Sequence, residues 1–148
     1  MIKFKPLTEQ AEWNWVKARA HPMQVKDTQG IVAYEDSTGD IAGIVIMDSW
    51  TPSGCQTHFA IDNPICIRRG LFREVALHIH VVCERPYIFG LIPANNEYAH
   101  KFDLKMGFRE VARIPEGYDI GVDYIVVRLA KEDNRWLPKE FREQRQVA

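Results

Sequence analysis

His58 lies on an alternating stretch in which Gln56, His58, Ala60 and Asp62 share one face and Phe59 and Ile61 the other. An imidazole on the polar side of such a strand can accept a proton at neutral pH, directly or through water. The competing reading is a hydrogen-bonded structural histidine. Further along, Arg68-Arg69-Gly70-Leu71-Phe72 marks a strand-to-helix turn. Free backbone N–H groups at a helix start, the positive end of its dipole and two arginines make an anion site there. A solvated basic pair at a glycine turn is the plainer alternative. Cys55, Cys66 and Cys83 are an odd count without metal-type spacing and read as reduced thiols. His78 and His80 point apart on one helix and form no zinc pattern with Cys83, so no metal is expected.

These groups need elements to hold them. Residues 2–7 read as a strand, and Thr8 caps a helix with Trp13, Val16 and Ala20 on one face, ended by His21-Pro22. Residues 23–29 show little periodicity and read as a loop or a fragment of helix. Residues 31–34 and 41–47 form an antiparallel hairpin across the turn cluster 36–40. A strand over 55–62 stops at Asn63-Pro64. Residues 69–85 follow as the best amphipathic helix of the chain. Leu71, Phe72, Val75, Ala76, Ile79, Val82 and Cys83 should face inward, with Arg73, Leu77, His80 and Glu84 mainly outward.

After an apolar strand over 87–94, Asn95 or Asn96 caps a helix with Ala99, Phe102 and Met106 buried. Gly107 stops that helix in a left-handed conformation, and Phe108 is set to pack back onto Phe102. Residues 109–114 and 123–129 close the sheet across the turn Pro115-Glu116-Gly117-Tyr118. The order is β-α-β-β-β-α-β-α-β-β, with the strands flanking the 69–85 helix parallel. This gives one α+β, three-layer domain over residues 1–130, a mixed sheet of about six to seven strands with helices on both faces. Residues 131–148 form a charged tail anchored by Trp136 and Leu137 and frayed from Phe141 onward.

Bulk properties narrow the function classes. With 148 residues, 46% of them hydrophobic, the chain can bury one core. A net charge of −1 gives no general attraction to nucleic acid or anionic membrane. Trp13, Trp15 and Trp50 read as core and surface aromatics rather than a base-stacking platform. No apolar run approaches the roughly 20 residues of a membrane span, and Met1–Lys5 lacks a signal-peptide core, so a cytoplasmic protein is expected.

The stretch Asn96-x-x-Ala99-x-x-Phe102-x-x-Lys105-x-Gly107-Phe108, behind a strand and before another, resembles the last conserved helix of the GCN5-related N-acetyltransferases, the GNAT superfamily. Phe102-Asp103, Gly121-Val122-Asp123 and Arg135-Trp136-Leu137 resemble more loosely a subgroup of phage and bacterial GNAT-like proteins. The resemblance implies acetyl-coenzyme A as co-substrate, without metal. Its pyrophosphate would lie on Arg68, Arg69, Gly70, Leu71 and Phe72, although Ile67 replaces the family's Gln or Arg and Phe72 its small residue. Ala60, Ile61 and Asp62 would line the acetyl and pantetheine region, with Asn96, Ala99 and Phe102 flanking the coenzyme. His58 would deprotonate an amine acceptor, a small molecule or a protein or peptide, with Tyr118 and Asp119 as rival acceptor-site residues. Asp103 stands where the family commonly has a proton-donating Tyr. An ordinary carboxyl there is ionised and repels a developing thiolate, so the donor role is not assigned to it, and Tyr98 is a remote substitute. The expected activity is direct acetyl transfer by a monomer or homodimer. The alternative is a non-catalytic acyl-coenzyme A-binding or partner-binding module on the same fold.

Overall fold

In the computed structural model, which describes residues 1–20 and 27–142, seven strands form a single sheet. They are β1 (Ile2–Pro6), β2 (Gln29–Glu35), β3 (Ile41–Asp48), β4 (Gly54–Ile61), β5 (Tyr87–Pro93), β6 (Arg109–Asp119) and β7 (Val122–Ala130). The spatial order is β1-β2-β3-β4-β5-β7-β6. Every neighbouring pair is antiparallel except β4 and β5, which are parallel, as the crossover reading required.

Helix α1 (Gln10–Ala20) covers one face of β2, β3 and β4, burying Trp13 and Val16 against Val32, Ile44, Ile46 and Ala60. Its N-terminus is tied down by Glu12, whose Oε1 accepts from the main-chain N–H of Thr8 and Glu9 at 3.3 and 3.2 Å. The opposite face carries the larger core, built on α3 (Leu71–Ala76) and α4 (Glu97–Met106). A short α2 (Ile65–Arg68) precedes α3. Helices therefore lie on both faces of a mixed sheet, the three-layer α+β architecture read from the sequence. Among the described residues no helix is long and apolar enough to cross a membrane.

The 69–85 segment departs from a uniform helix. Residues Leu77–Val82 continue α3 in π geometry, with Cys83 N–H donating to His78 O at 2.9 Å, five residues back. A π turn takes up more residues than an α turn, so everything beyond it is rotated. His80, expected outside, is 2% exposed, while Val82, expected inside, is 70% exposed. Specific bonds hold the distortion. His80 Nδ1–H donates to Arg85 O at 2.7 Å, and Asn134 Nδ2 donates to His80 Nε2 at 3.1 Å. Burial lowers the His80 pKa, in keeping with this neutral form.

Asn134 brings the residues just after β7 into the core. Its Oδ1 accepts from Trp136 N–H, Leu137 is 1% exposed, and the Trp136 ring meets Phe72 edge-on at 5.7 Å. Trp136 and Leu137 thus anchor the residues after β7, and a last turn, α5 (Lys139–Arg142), follows. The β6–β7 turn also moved. The strand runs through 115–118 as an irregularity, where Glu116 N–H donates to Asp123 Oδ1 at 2.9 Å, and the reversal falls at Ile120-Gly121. The expected loop over 23–29 and the expected fraying from Phe141 fall largely outside the described residues.

Gly54 sets how closely β4 and β5 approach: a Cβ there would lie 2.2 Å from Tyr87 O and 2.9 Å from the Phe89 ring. Gly54→Ala should therefore cost about 1–3 kcal/mol, read as a lowered denaturant midpoint at unchanged slope.

Candidate active site

β4 and β5 are in register over three pairs only: Gly54 with Tyr87, Cys55 with Ile88 and Gln56 with Phe89. Beyond Gln56 and Phe89 the strands separate and leave a gap widening toward Ile61 and Pro93. Which main-chain groups face it follows from alternation. Asp62 N–H donates to Ala42 O at 2.9 Å, so the even-numbered residues of β4 bond to β3. The last pair, Gln56 with Phe89, uses the Thr57 N–H, so the Thr57 C=O and the N–H and C=O groups of Phe59 and Ile61 face the gap. Tyr87 N–H donates to Ser53 O, and Ala94 N–H to Asp123 O, so Phe89 and Leu91 turn theirs inward from β5. Of the β4 residues expected to line this region, Ile61 offers main-chain groups to it. Ala60 is buried beneath α1, and the Asp62 carboxylate is held by Arg19 at 3.1 Å through both oxygens.

His58 lies two residues past the last β4–β5 pair, on the α1 face. Its Nε2 is 3.1 and 3.0 Å from the two oxygens of Asp48, the last residue of β3. Asp48 is 8% exposed. Against a carboxylate Nε2 must donate, so the neutral ring presents Nδ1 as an acceptor. Asp48 orients that ring, a contact the sequence did not indicate. The rivals Tyr118 and Asp119 lie on β6, separated from β4 by β5 and β7, and Asp119 Oδ1 accepts from Ile120 N–H at 2.7 Å.

Helix starts flank the open end of the gap. Gly70 precedes α3 with φ 119°, in the left-handed region, and Arg68 and Arg69 beside it are exposed. A Cβ at Gly70 would meet Arg73 Nη2 at 3.1 Å, so Arg73 adds a third guanidinium to this turn. Leu71 is fully buried. Phe72 turns its ring inward, 5.8 Å from Phe59 and 6.3 Å from Phe102, and the core absorbs its bulk. Across the gap, Asn96 caps α4 by accepting from Ala99 N–H at 3.1 Å, and Gly107 ends it with φ 104°. The Phe102 ring meets Phe59 and Tyr98 as well as Phe72.

Asp103 departs most from expectation. It is 7% exposed, its Oδ1 has no hydrogen-bond partner, and its Oδ2 lies 3.7 Å from where a Cβ of Gly90 would stand. Burial pushes its carboxyl up to about 6, above the ordinary carboxylate range but below neutral pH, where the group stays mainly ionised as expected. Among the described residues no His, Cys, Asp and Glu cluster could hold a metal ion. A cavity of about 470 Å³, lined by Leu7, Ile31, Met47, Leu77 and His78, opens on the β1–β2 side of the sheet, away from the gap and His58.

The fold as a whole has counterparts among solved structures. The chain superposes on the spermidine/spermine N-acetyltransferase of Vibrio cholerae with a TM-score of 0.70 at 11% identity, covering 87% of this chain and 92% of that one. A GNAT-family protein from Desulfovibrio desulfuricans gives 0.69 at 17% identity, over 88% and 99% of the two chains. The fold is that of the GNAT acetyltransferases. The ribosomal-protein-S18-alanine N-acetyltransferase of Escherichia coli gives 0.67 at 16% identity, over 88% and 94%. No protein-family model matches the sequence, and the search of curated proteins finds no match. The GNAT likeness is thus carried by topology at identities where little of the sequence is shared.

The raised Asp103 carboxyl makes stability depend on pH. Between its ordinary value of 3.8 and about 6 the native state holds a proton that the unfolded chain releases. Stability from this group is therefore full below about pH 4 and lost as pH rises through about 6. The difference approaches ~3 kcal/mol. Denaturant titrations from pH 4 to 8 should show Asp103→Asn gaining on the wild type across that window and running parallel to it above pH 7.

Proposed function

We propose that the protein is an acetyl-coenzyme A-dependent N-acetyltransferase that transfers acetyl directly to an amine. The observation that carries this is the gap beyond Gln56 and Phe89, with the His58–Asp48 pair beside its vertex. An extended, amide-bearing chain such as pantetheine would satisfy the open main-chain groups of Thr57, Phe59, Ile61 and Leu91 as an added strand. Gly70, Arg68, Arg69 and Arg73 suit the pyrophosphate at the mouth. Leu71 and Phe72 support that turn from the core, and Asn96, Ala99 and Phe102 form the opposite wall. The thioester supplies the activated acetyl group.

The acceptor approaches from the α1 face. There α1 covers β2–β4, while Phe89, Leu91, Tyr124 and Val126 of β5 and β7 remain partly open beside His58. Asp48 fixes the imidazole through Nε2, and Nδ1 receives the proton of the attacking amine. A main-chain N–H of β4 at the vertex polarises the acetyl carbonyl. The neighbouring acetyltransferases are named for a polyamine and a ribosomal-protein alanine, which fits an amine acceptor of either size.

Labelled acetyl-coenzyme A screened against amines and peptides tests the reading. Transfer to one of them supports it. Coenzyme binding without transfer to any would favour the non-catalytic module. Two variants test its parts. Gly70→Val, with a β-branched residue where φ is positive, should weaken coenzyme binding tenfold or more by calorimetry in a folded protein. His58→Gln should slow turnover by about 10²–10⁴ while leaving coenzyme affinity nearly unchanged. Asp48→Asn should slow it less, because the imidazole survives but loses its orientation.

A further inference from the structure

We propose that the acceptor is the N-terminal α-amine of a polypeptide whose first residues are apolar or aromatic, a narrowing that rests on the acetyltransferase reading above. The sheet face leading to His58 carries it. Phe89 pairs with Gln56, so Phe89 and Leu91 share the face of Gln56 and His58. Leu91 pairs with Val126, and Tyr124 with Ile114, which extends the same face across β7 to β6, where the Tyr118 ring meets Tyr124 at 5.6 Å. The core cluster beneath α1 takes no residue from β5, β6 or β7. Leu91, Ile114 and Tyr118 are accordingly 40%, 46% and 54% exposed, on a strip that ends at the imidazole. Contiguous apolar surface of this kind marks a site of interaction.

The length of the strip, its charge and the imidazole at its end select the occupant. From β4 to β6 it spans three strand spacings, about 14 Å, which one small aromatic amine leaves half bare and about four residues of extended chain cover. Arg128 is the one charged side chain at the β5 and β7 positions on this face, and its guanidinium lies over the Tyr87 ring at 4.3 Å. Asp48 is taken by His58, and Asp62, just past β4, by Arg19. A polyamine or a lysine side chain would bring charge with nothing to meet it.

The chemistry of attack favours the same acceptor, because only the neutral amine is nucleophilic. An α-amine has an ordinary value of about 8 against about 10.4 for lysine, so roughly a fifth of it is neutral at pH 7.4 against about a thousandth. Its nitrogen bonds to the acetyl carbon while the carbon–sulfur bond breaks with its electron pair on sulfur. His58 Nδ1 takes the proton from nitrogen, and solvent supplies the one that completes the thiol.

The test follows transfer from labelled acetyl-coenzyme A to four acceptors. They are a hexapeptide opening Ala-Phe-Leu-Val, the same peptide with Glu in its second to fourth positions, spermidine and phenethylamine. The apolar peptide should exceed each of the others tenfold or more in kcat/KM. Leu91→Lys should raise its KM fivefold or more and leave coenzyme affinity within twofold by calorimetry. The same variant should raise kcat/KM for the Glu peptide, a gain that no folding defect produces. Spermidine or phenethylamine equalling the apolar peptide would overturn the proposal, as would a Leu91→Lys variant that treats both peptides as the wild type does. So would a stable dimer in sedimentation that Leu91→Lys makes monomeric, since a second copy of the chain would then cover the strip. Failure of the parent reading looks different, because no amine at all, these four included, would then be acetylated.

Discussion

The arrangement turns on how briefly β4 and β5 stay together. Parallel strands of this length could pair throughout, and here only three residue pairs do. Gly54 permits the tight approach at one end. Beyond Gln56 each strand remains bonded to its other neighbour, β4 to β3 and β5 to β7, so the sheet divides rather than frays. Opened main-chain groups cannot be left dry without penalty, and a gap of this kind calls for a ligand or water. Both helix starts and His58 with its Asp48 partner are arranged around that one line of separation.

The flanking layers show two ways of handling buried polar groups. On the α1 side every one described is answered: Glu12 by Lys5 and the helix N-terminus, Asp48 by His58, and the half-exposed Asp62 by Arg19. On the α4 side His80 and Asn134 answer each other and fix the π turn, while Asp103 is left unanswered beneath Gly90. Phe59, Phe72, Phe102 and Trp136 form a continuous aromatic group in that core, from β4 to the residues just after β7.

Much of the fold was legible because it follows local rules. Asn96 as cap, Gly107 as stop and the strand–helix–strand order around β4 and β5 need only propensity and periodicity. The π turn was not legible, since 3.6-residue counting assumes a constant pitch, and the bonds that alter it come from Asn134, remote in sequence. The turn near Pro115 misled for a related reason, as Asp123 stabilises a strand irregularity where turn residues suggested a reversal. His58 could be nominated from its strand face, but Asp48 could not, because its part depends on register across the β3–β4 hairpin. Asp103 was visible as an unusual residue, while its ionisation depends on burial that no local pattern encodes.

The split sheet also gives the molecule an internal gauge. Phe59 and Ile61 carry amide hydrogens that face no neighbouring strand, whereas His58 and Ala60 beside them are bonded to β3. Successive residues of one strand should thus exchange with deuterated solvent at alternating rates, fast and slow. An extended occupant hydrogen-bonded in the gap would erase that alternation without any change of fold. Isotope exchange along β4 therefore reports occupancy of the gap directly, whatever chemistry follows.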